Sequence, residues 1–413
     1  MSKSNKPRLR AFENAPHQKH ISEKDRYLYK SEQPSHRLLV IGTGTMGQEH
    51  MRVAVLLGRA KIHGIYDISV HSLDTAEENY SKISTESLTR YDDLESACMD
   101  PAIDALMICT PNYTHFEILQ TAIKSGKPIF LEKPMATTLK DAADIVEIAT
   151  SYDPFLQIGL QYRYKAQYVE VLHEVLQRKS LGEVKTVSMS EYRPPFLDKV
   201  GQWNKFNEFS GGTLVEKCCH YFDLINLVAQ AKPVRVYASG GQACNFLDLE
   251  IQGRKSDIDD HAFVTIEYAN GIRASFTLNM FCADFSEELV VSGANGRIIA
   301  SEKSNFQQQG PLHCNVSVEL GEQGASRTGD VGYPRLVEQS GHHGATFYEH
   351  IAMMDRLEGK SVEGIESIKS ATLLQGLWAM IVASAAQESM ANTQVVEIDE
   401  FIVRHELADV LAG

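Results

Sequence analysis

Leu38-Leu39-Val40-Ile41-Gly42-Thr43-Gly44-Thr45-Met46-Gly47-Gln48-Glu49-His50 is the stretch whose reading decides the fold. Leu38 to Ile41 is a short unbroken apolar run, the pattern of a strand buried on both faces of a parallel sheet. It runs straight into Gly42, Gly44 and Gly47, after which Met51, Val55 and Leu56 recur on one helical face. Each glycine answers a separate demand of a strand–turn–helix that cradles a pyrophosphate. Gly42 permits the tight turn, Gly44 lets the backbone approach the phosphates, and Gly47 lets helix and strand pack closely. The phosphates would meet the helix N-terminus, so Thr43, Thr45 and Met46 join the glycines as cofactor-binding candidates. Gly-rich turns also join strands to helices without any ligand. Asp67 argues for the dinucleotide: it ends the next apolar run, Ile62 to Tyr66, twenty residues past Gly47, where a ribose-binding acid belongs.

Working outward, residues 37–157 alternate strand-like and helix-like runs, as a doubly wound α/β domain does. Ile103 to Cys109 reads as a buried strand leading into Thr110-Pro111-Asn112-Tyr113-Thr114-His115, and a helix then stops at Gly126. Pro128 to Leu131 reads as the next strand, ending at Glu132-Lys133-Pro134; Thr138 then caps a helix with Asp141 three positions on. Phe155 to Leu160 closes the parallel set. Ligands sit outside the carboxyl ends of such strands, which gathers Gly42, Asp67, Thr110 and Lys133 into one site.

The texture changes beyond Gln161-Tyr162-Arg163. Strand-like runs dominate at Glu183–Tyr192, Val234–Ser239, His261–Tyr268, Ile272–Phe281, Glu288–Ser292 and Arg297–Ala300, with Asn270-Gly271 as a hairpin turn. Residues 321–344 read as a Gly-rich loop, followed by helices over Ala345–Leu357 and Ser367–Glu388. The expected fold class is therefore α/β plus α+β. A Rossmann domain over residues 37–157 precedes a 158–413 domain built on an open, mostly antiparallel sheet. Residues 1–36 are polar and basic around a few aromatics, either a disordered tail or an arm on a neighbouring subunit.

Composition narrows the function. The formal net charge of −14 argues against nucleic acid and anionic membranes as partners. No apolar run approaches the roughly 20 residues that span a bilayer. Seven cysteines without framework spacing read as reduced thiols in a cytoplasmic protein, and adjacent Cys218 and Cys219 do not form a metal site.

Four motifs occur in order: Gly42-x-Gly44-x-x-Gly47-x-x-His50, Thr110-Pro111-Asn112-x-x-His115, Glu132-Lys133-Pro134, and Gly211-Gly212-x-Leu214-x-Glu216-x-x-x-His220-x-x-Asp223. Together they resemble the glucose–fructose oxidoreductase / inositol 2-dehydrogenase / rhizopine-catabolism (Gfo/Idh/MocA) family over roughly residues 37–390. The resemblance implies an oxidoreductase that moves hydride between NAD(P) and a hydroxyl-bearing carbon of a sugar, cyclitol or related polyhydroxylated small molecule. It implies that Lys133 lies by the nicotinamide and substrate and that His220 is the general base. It also implies that Thr110, Pro111, Asn112, His115 and Glu132 line the cofactor. A homo-oligomer, dimer or tetramer, is expected through the open sheet. Two other readings stand beside it, an NAD-assisted hydrolase or lyase and a catalytically silent sensor.

The residue chemistry supports this independently. Glu216 and His220 are four apart, so on a continuous helix they share a face, and the carboxylate can orient the imidazole. The family usually carries Asp where this chain has Glu216. Histidine suits abstraction of a hydroxyl proton, and the Lys133 ammonium suits a developing alkoxide. Tyr162 and Arg163 are substrate-binding candidates, with an inter-domain salt bridge the alternative for Arg163. His343, in the loop Ser340-Gly341-His342-His343-Gly344, is a substrate candidate, with a solvated histidine pair as its alternative. Asp67 predicts NAD rather than NADP, since its charge repels a 2′-phosphate and no Arg or Lys occurs in Ile68–Ser72.

Overall fold

The computed structural model describes residues 34–304, 313–360 and 370–412, so most of the expected N-terminal arm lies outside the described residues. Six strands form the first sheet: β1 (His36–Ile41), β2 (Ala60–Tyr66), β3 (Thr89–Arg90), β4 (Ala105–Ile108), β5 (Ile129–Glu132) and β6 (Leu156–Gly159). Their spatial order is β3-β2-β1-β4-β5-β6 and every pair is parallel. The order changes direction between β1 and β4, and the crevice outside the carboxyl ends there is where such sheets take ligands. The glycine turn leads into helix α1 (Thr45–Leu57), which ends on left-handed Gly58. Thr138 caps the helix Leu139–Ser151 by accepting from the Asp141 N–H, and Gly126 takes the left-handed position that ends the preceding turn.

The second sheet has nine strands and one open face. In spatial order they are Arg327–Asp330, His313–Glu319, Gly296–Ser304, Phe285–Gly293, Val184–Tyr192, Arg273–Asn279, His261–Tyr268, Pro233–Gly241 and Val396–Glu397. All pairs are antiparallel except Val184–Tyr192 with Arg273–Asn279. Burial alternates along the strands, with Val187, Met189, Val264, Ile266 and Phe276 packed inward. Helix α2 (Cys219–Ala229) lies on that inner face, where Tyr221 and Phe222 pack on Phe276.

Two sequence expectations need correction. The stretch 321–344 is not a plain loop: it contains the edge strand Arg327–Asp330, fully exposed and without an apolar face to announce it. The segment 213–223 is not one helix, since a turn over Thr213–Glu216 stops and α2 begins at Cys219. The chain also does not stay within its own half. Helix α3 (Ala345–Leu357) buries Phe347, Met353 and Met354 in one apolar cluster with Leu38, Val40 and Met51 of the first sheet and α1. The 20-residue helix α4 (Leu373–Asn392) is apolar around its circumference and buried between the halves. Gly376 lets the helix pack closely there: a Cβ would stand 2.5 Å from Met135 Cε and 2.9 Å from Ile158 Cδ1, so those side-chain ends would have to move. At its other end Ser389 Oγ accepts from the Ala238 N–H of the large sheet.

Candidate active site

At the phosphate turn, Gly42 holds φ +91°, and a Cβ there would lie 2.7 Å from the Cys109 and Thr110 backbone. A Cβ on Gly47 would lie 2.0 Å from the Gly42 carbonyl oxygen. Both glycines are therefore fixed by protein packing. Gly44 differs: nothing lies within 4 Å of its Cβ position, and α1 begins there with no side-chain cap. The first N–H groups of α1, from Thr45 and Met46 onward, have no side-chain cap among the described residues and a helix dipole behind them, a fit for a pyrophosphate. Thr43 is buried, and its N–H and hydroxyl donate to Asp67 Oδ2 at 2.7 and 3.2 Å. The Ser69 N–H holds Oδ1 at 2.8 Å. The carboxylate is locked in place with lone pairs left for a diol. Beside it Ile68 is 88% exposed, an apolar surface of the kind a purine covers; its exposure is not legible from residue type alone.

Three expected cofactor contacts are taken up inside the protein. The His115 ring nitrogens meet the Pro134 and Thr110 carbonyls at 2.8 and 3.0 Å. Burial depresses its basicity, so the neutral ring donates to one of them and ties the two loops together. Asn112 Nδ2 donates to the Ser210 carbonyl at 3.1 Å. Glu132 meets His50 Nε2 at 2.7 Å and accepts from the Lys133 N–H at 3.0 Å. The side chains of His115, Asn112 and Glu132 therefore brace the site, while Thr110 and Pro111 stay partly exposed at its rim. The Lys133–Pro134 peptide is cis.

Lys133 Nζ donates to the Glu216 carbonyl at 2.9 Å. Burial works against its charge, but Glu216, the Cys219 thiol and Glu132 outweigh that and raise its basicity. His220 is stacked on Tyr162, ring centroids 4.0 Å apart and planes 9° from parallel. Burial first, then Lys133, Lys217, His342 and Lys165, hold its imidazole well below the usual histidine range. His220 is therefore neutral at physiological pH. Its Nδ1 is buried without a hydrogen-bond partner among the described residues, so Nε2 is the nitrogen left to exchange a proton.

Glu216 is not the partner of His220. The helix breaks between them, and its carboxylate faces the cations, with Lys199 Nζ 3.9 Å from Oε1. Burial raises its pKa, but Lys133, Lys199 and Lys217 outweigh that, so it stays ionised. Arg163 is likewise diverted from substrate: buried, it grips Asp223 with Nε–Oδ2 at 2.6 Å and Nη2–Oδ1 at 2.5 Å. Tyr162 is buried too, its hydroxyl accepting from Lys217 Nζ at 2.5 Å. His343 turns to Glu302 at 3.3 Å, and its neighbour His342 is the one beside Tyr162, ring centroids 6.1 Å apart. Sequence reading missed Lys199, Lys217 and Gln161; Gln161 is buried at the end of β6 with both amide atoms unpartnered. Its position just past a strand's carboxyl end was the available signal.

Comparison with known proteins bears on the family and the fold. Residues 36–160 match the model of an oxidoreductase family with an NAD-binding Rossmann fold, and residues 173–398 match the same family's C-terminal alpha/beta domain. The chain is 26% identical over 267 residues to myo-inositol 2-dehydrogenase of Thermotoga maritima, covering 64% of this chain and 75% of that one. Inositol 2-dehydrogenase of Paracoccus denitrificans is 32% identical over 147 residues, 35% of this chain and 41% of that one. Levoglucosan dehydrogenase, solved with NADH and levoglucosan, superposes with a TM-score of 0.70 at 18% identity, covering 88% of this chain and 99% of that one. Among the described residues no helix is long and apolar enough to cross a membrane, and no cluster of metal-ligating side chains occurs.

Proposed function

The chain belongs to the Gfo/Idh/MocA oxidoreductase family, and from that premise we propose an NAD-dependent dehydrogenase acting on a hydroxyl-bearing carbon of a sugar, cyclitol or sugar derivative. The observation that carries this reading is Lys133, just past the carboxyl end of β5 with its Nζ on the Glu216 carbonyl, near a His220 that is stacked on Tyr162 and whose imidazole the lysine charge depresses. Residues 37–157 would bind the cofactor and residues 158–413 the substrate. Bound nicotinamide supplies the hydride acceptor. His220 Nε2 takes the hydroxyl proton, and the stack on Tyr162 fixes the plane of its ring. Lys133 holds the developing alkoxide, with its own position set by the Glu216 carbonyl. The N-terminus of α1 holds the pyrophosphate and Asp67 the ribose. A panel of inositols, aldoses and sugar acids, assayed with NAD by absorbance of NADH, tests the reading. Substrate conversion without net NADH would favour the hydrolase or lyase instead.

NAD is the expected cofactor. Asp67 offers a charged acceptor to the 2′-OH, worth a factor of about ten or more in discrimination. kcat/KM with NAD should exceed that with NADP by at least this factor, and Asp67→Ala should narrow the gap. Equal efficiency in the parent enzyme would overturn the assignment.

A homo-oligomer, dimer or tetramer, is expected through the open face of the large sheet. Phe263 is 61% and Tyr237 42% exposed there, within rows of Ser and Thr such as Thr265, Ser275 and Thr277. Large apolar groups on a flat, uncovered face are characteristic of subunit contacts. Light scattering at micromolar concentration should show a multiple of the chain mass; a monomer refutes this. All seven cysteines are unpaired, which supports a reducing, cytoplasmic setting.

A further inference from the structure

The segment Ser340–Gly344 is pinned to the dinucleotide helix from several directions. Arg52 Nε donates to the Ser340 carbonyl at 2.8 Å. Gly341 lies so close to Glu49 that a Cβ would stand 2.4 Å from its carboxylate. His342 and His343 both take left-handed backbone, φ 39° and 55°, which non-glycine residues rarely adopt. Such strain persists where the surroundings enforce it, and it concentrates at functional sites. What it secures here is a carboxylate–imidazole pair. His342 Nδ1 meets Glu49 Oε1 at 2.7 Å, and Thr346 Oγ1 donates to the same oxygen at 2.6 Å. The other ring nitrogen of His342 has no protein partner among the described residues. Its ring stands beside Tyr162, on which His220 is stacked.

We propose that the Glu49–His342 pair is the proton sink of the dehydrogenase reaction: the proton taken by His220 Nε2 passes on to His342 Nε2, while Glu49 orients the imidazole and balances its charge. This rests on the dehydrogenase reading above. In the oxidation the substrate O–H and C–H bonds break and a C=O bond forms. The C–H electron pair leaves as hydride to the nicotinamide cofactor, and the proton ends on His342 as imidazolium. Reduction returns it by the same route.

The two histidines sit in opposite settings. His220 is ringed by Lys133, Lys217 and Lys165, so it can pass a proton but is poorly suited to keep one. His342 meets Glu49 of α1 directly and stands beside the Tyr162 ring, within reach of the charges of Glu132 at the end of β5, His220 and His343. Burial raises the Glu49 pKa, but His342, Thr346 and His50 together bring it down to about 2, so its charge persists across the working range. A carboxylate on Nδ1 also selects the tautomer whose Nε2 accepts. The dyad that sequence spacing places at Glu216–His220 is thus supplied by Glu49 and His342, residues 293 apart in the chain.

Glu49→Gln tests this, because the amide oxygen still accepts from Nδ1–H while the charge is removed. The expected result is a fall in kcat of about ten- to a hundredfold, the lower part of the range for proton-transfer groups. KM and NAD affinity should change little. Glu49→Asp, which keeps the charge on a shorter arm, should restore part of the rate. In the cofactor-free protein, nitrogen chemical shifts of labelled histidine should report the Nδ1–H tautomer at His342. Parent-rate turnover by Glu49→Gln or by His342→Gln, or the Nε2–H tautomer in the parent protein, would each overturn the proposal. Failure of the dehydrogenase reading itself would look different: no NADH from any polyol, or parent-rate turnover by His220→Ala.

Discussion

His220→Ala is expected to lower kcat/KM for the polyol substrate by about 10²–10⁴-fold, the usual worth of a positioned proton-transfer group. NAD affinity should stay within a few-fold of the parent. The separation follows from geometry: the open N-terminus of α1 and the Asp67 carboxylate belong to one end of the crevice, His220 and Lys133 to the other. Lys133→Met should cost a similar factor by removing the charge that faces the alkoxide. It carries a second signature in pH. Burial, Lys133 and Lys217 all hold the His220 imidazole low, so the base form predominates well into the acid range. Without Lys133 one depressing charge is gone, the imidazole protonates at higher pH, and the acid limb of kcat/KM should move upward. Steady-state kinetics across pH together with a direct NAD titration check both statements. Parent-rate turnover by the His220 variant would remove it from the mechanism.

Asp223→Ala should destabilise the protein by about 3–5 kcal/mol, the cost of leaving one partner of a buried ion pair without the other. Arg163 and Asp223 are both buried and joined by two short hydrogen bonds, so removal of the carboxylate takes both bonds from a guanidinium that stays buried. The pair also links function to fold. Asp223 lies three residues beyond His220 on α2, and Arg163 follows directly on Tyr162, on which His220 is stacked. Loss of the pair should therefore lower kcat as well as thermal stability. Thermal unfolding of Asp223→Ala beside the double variant Arg163→Met/Asp223→Leu checks it. The apolar pair should recover most of the lost stability, whereas an unchanged melting temperature in the single variant would contradict the assignment.

Much of the site is legible in the chain because its logic is local. Gly42, Gly44 and Gly47 follow a buried strand at fixed spacing, and the steric need for Gly42 and Gly47 arises within the same turn and the neighbouring strand end. Asp67 and Lys133 are placed by one rule, that motifs at the carboxyl ends of parallel strands converge, and the strand order puts them there. The hairpin at Asn270-Gly271 and the caps at Thr138 and Gly126 are likewise set by residues within a few positions of each other.

What the sequence alone does not fix is the choice of partners, which depends on distant segments. Glu216 lies four residues before His220, yet a helix break and three lysines draw its carboxylate elsewhere. The ring nitrogens of His115 and the carboxylate of Glu132 are taken by carbonyls, His50 and backbone, groups brought close only by the packing of loops. Arg163 turns inward because Asp223 is there to receive it, and His343 turns to Glu302 while His342 faces Tyr162. Hydrogen bonds and ion pairs form with whatever acceptor the fold delivers within about 3 Å. The sequence by itself therefore determined the backbone of the dinucleotide site and the residue types of its chemistry. Only the tertiary structure decided which carboxylate meets which base, because α3 and the Ser340–Gly344 segment pack on α1 from a distant part of the chain.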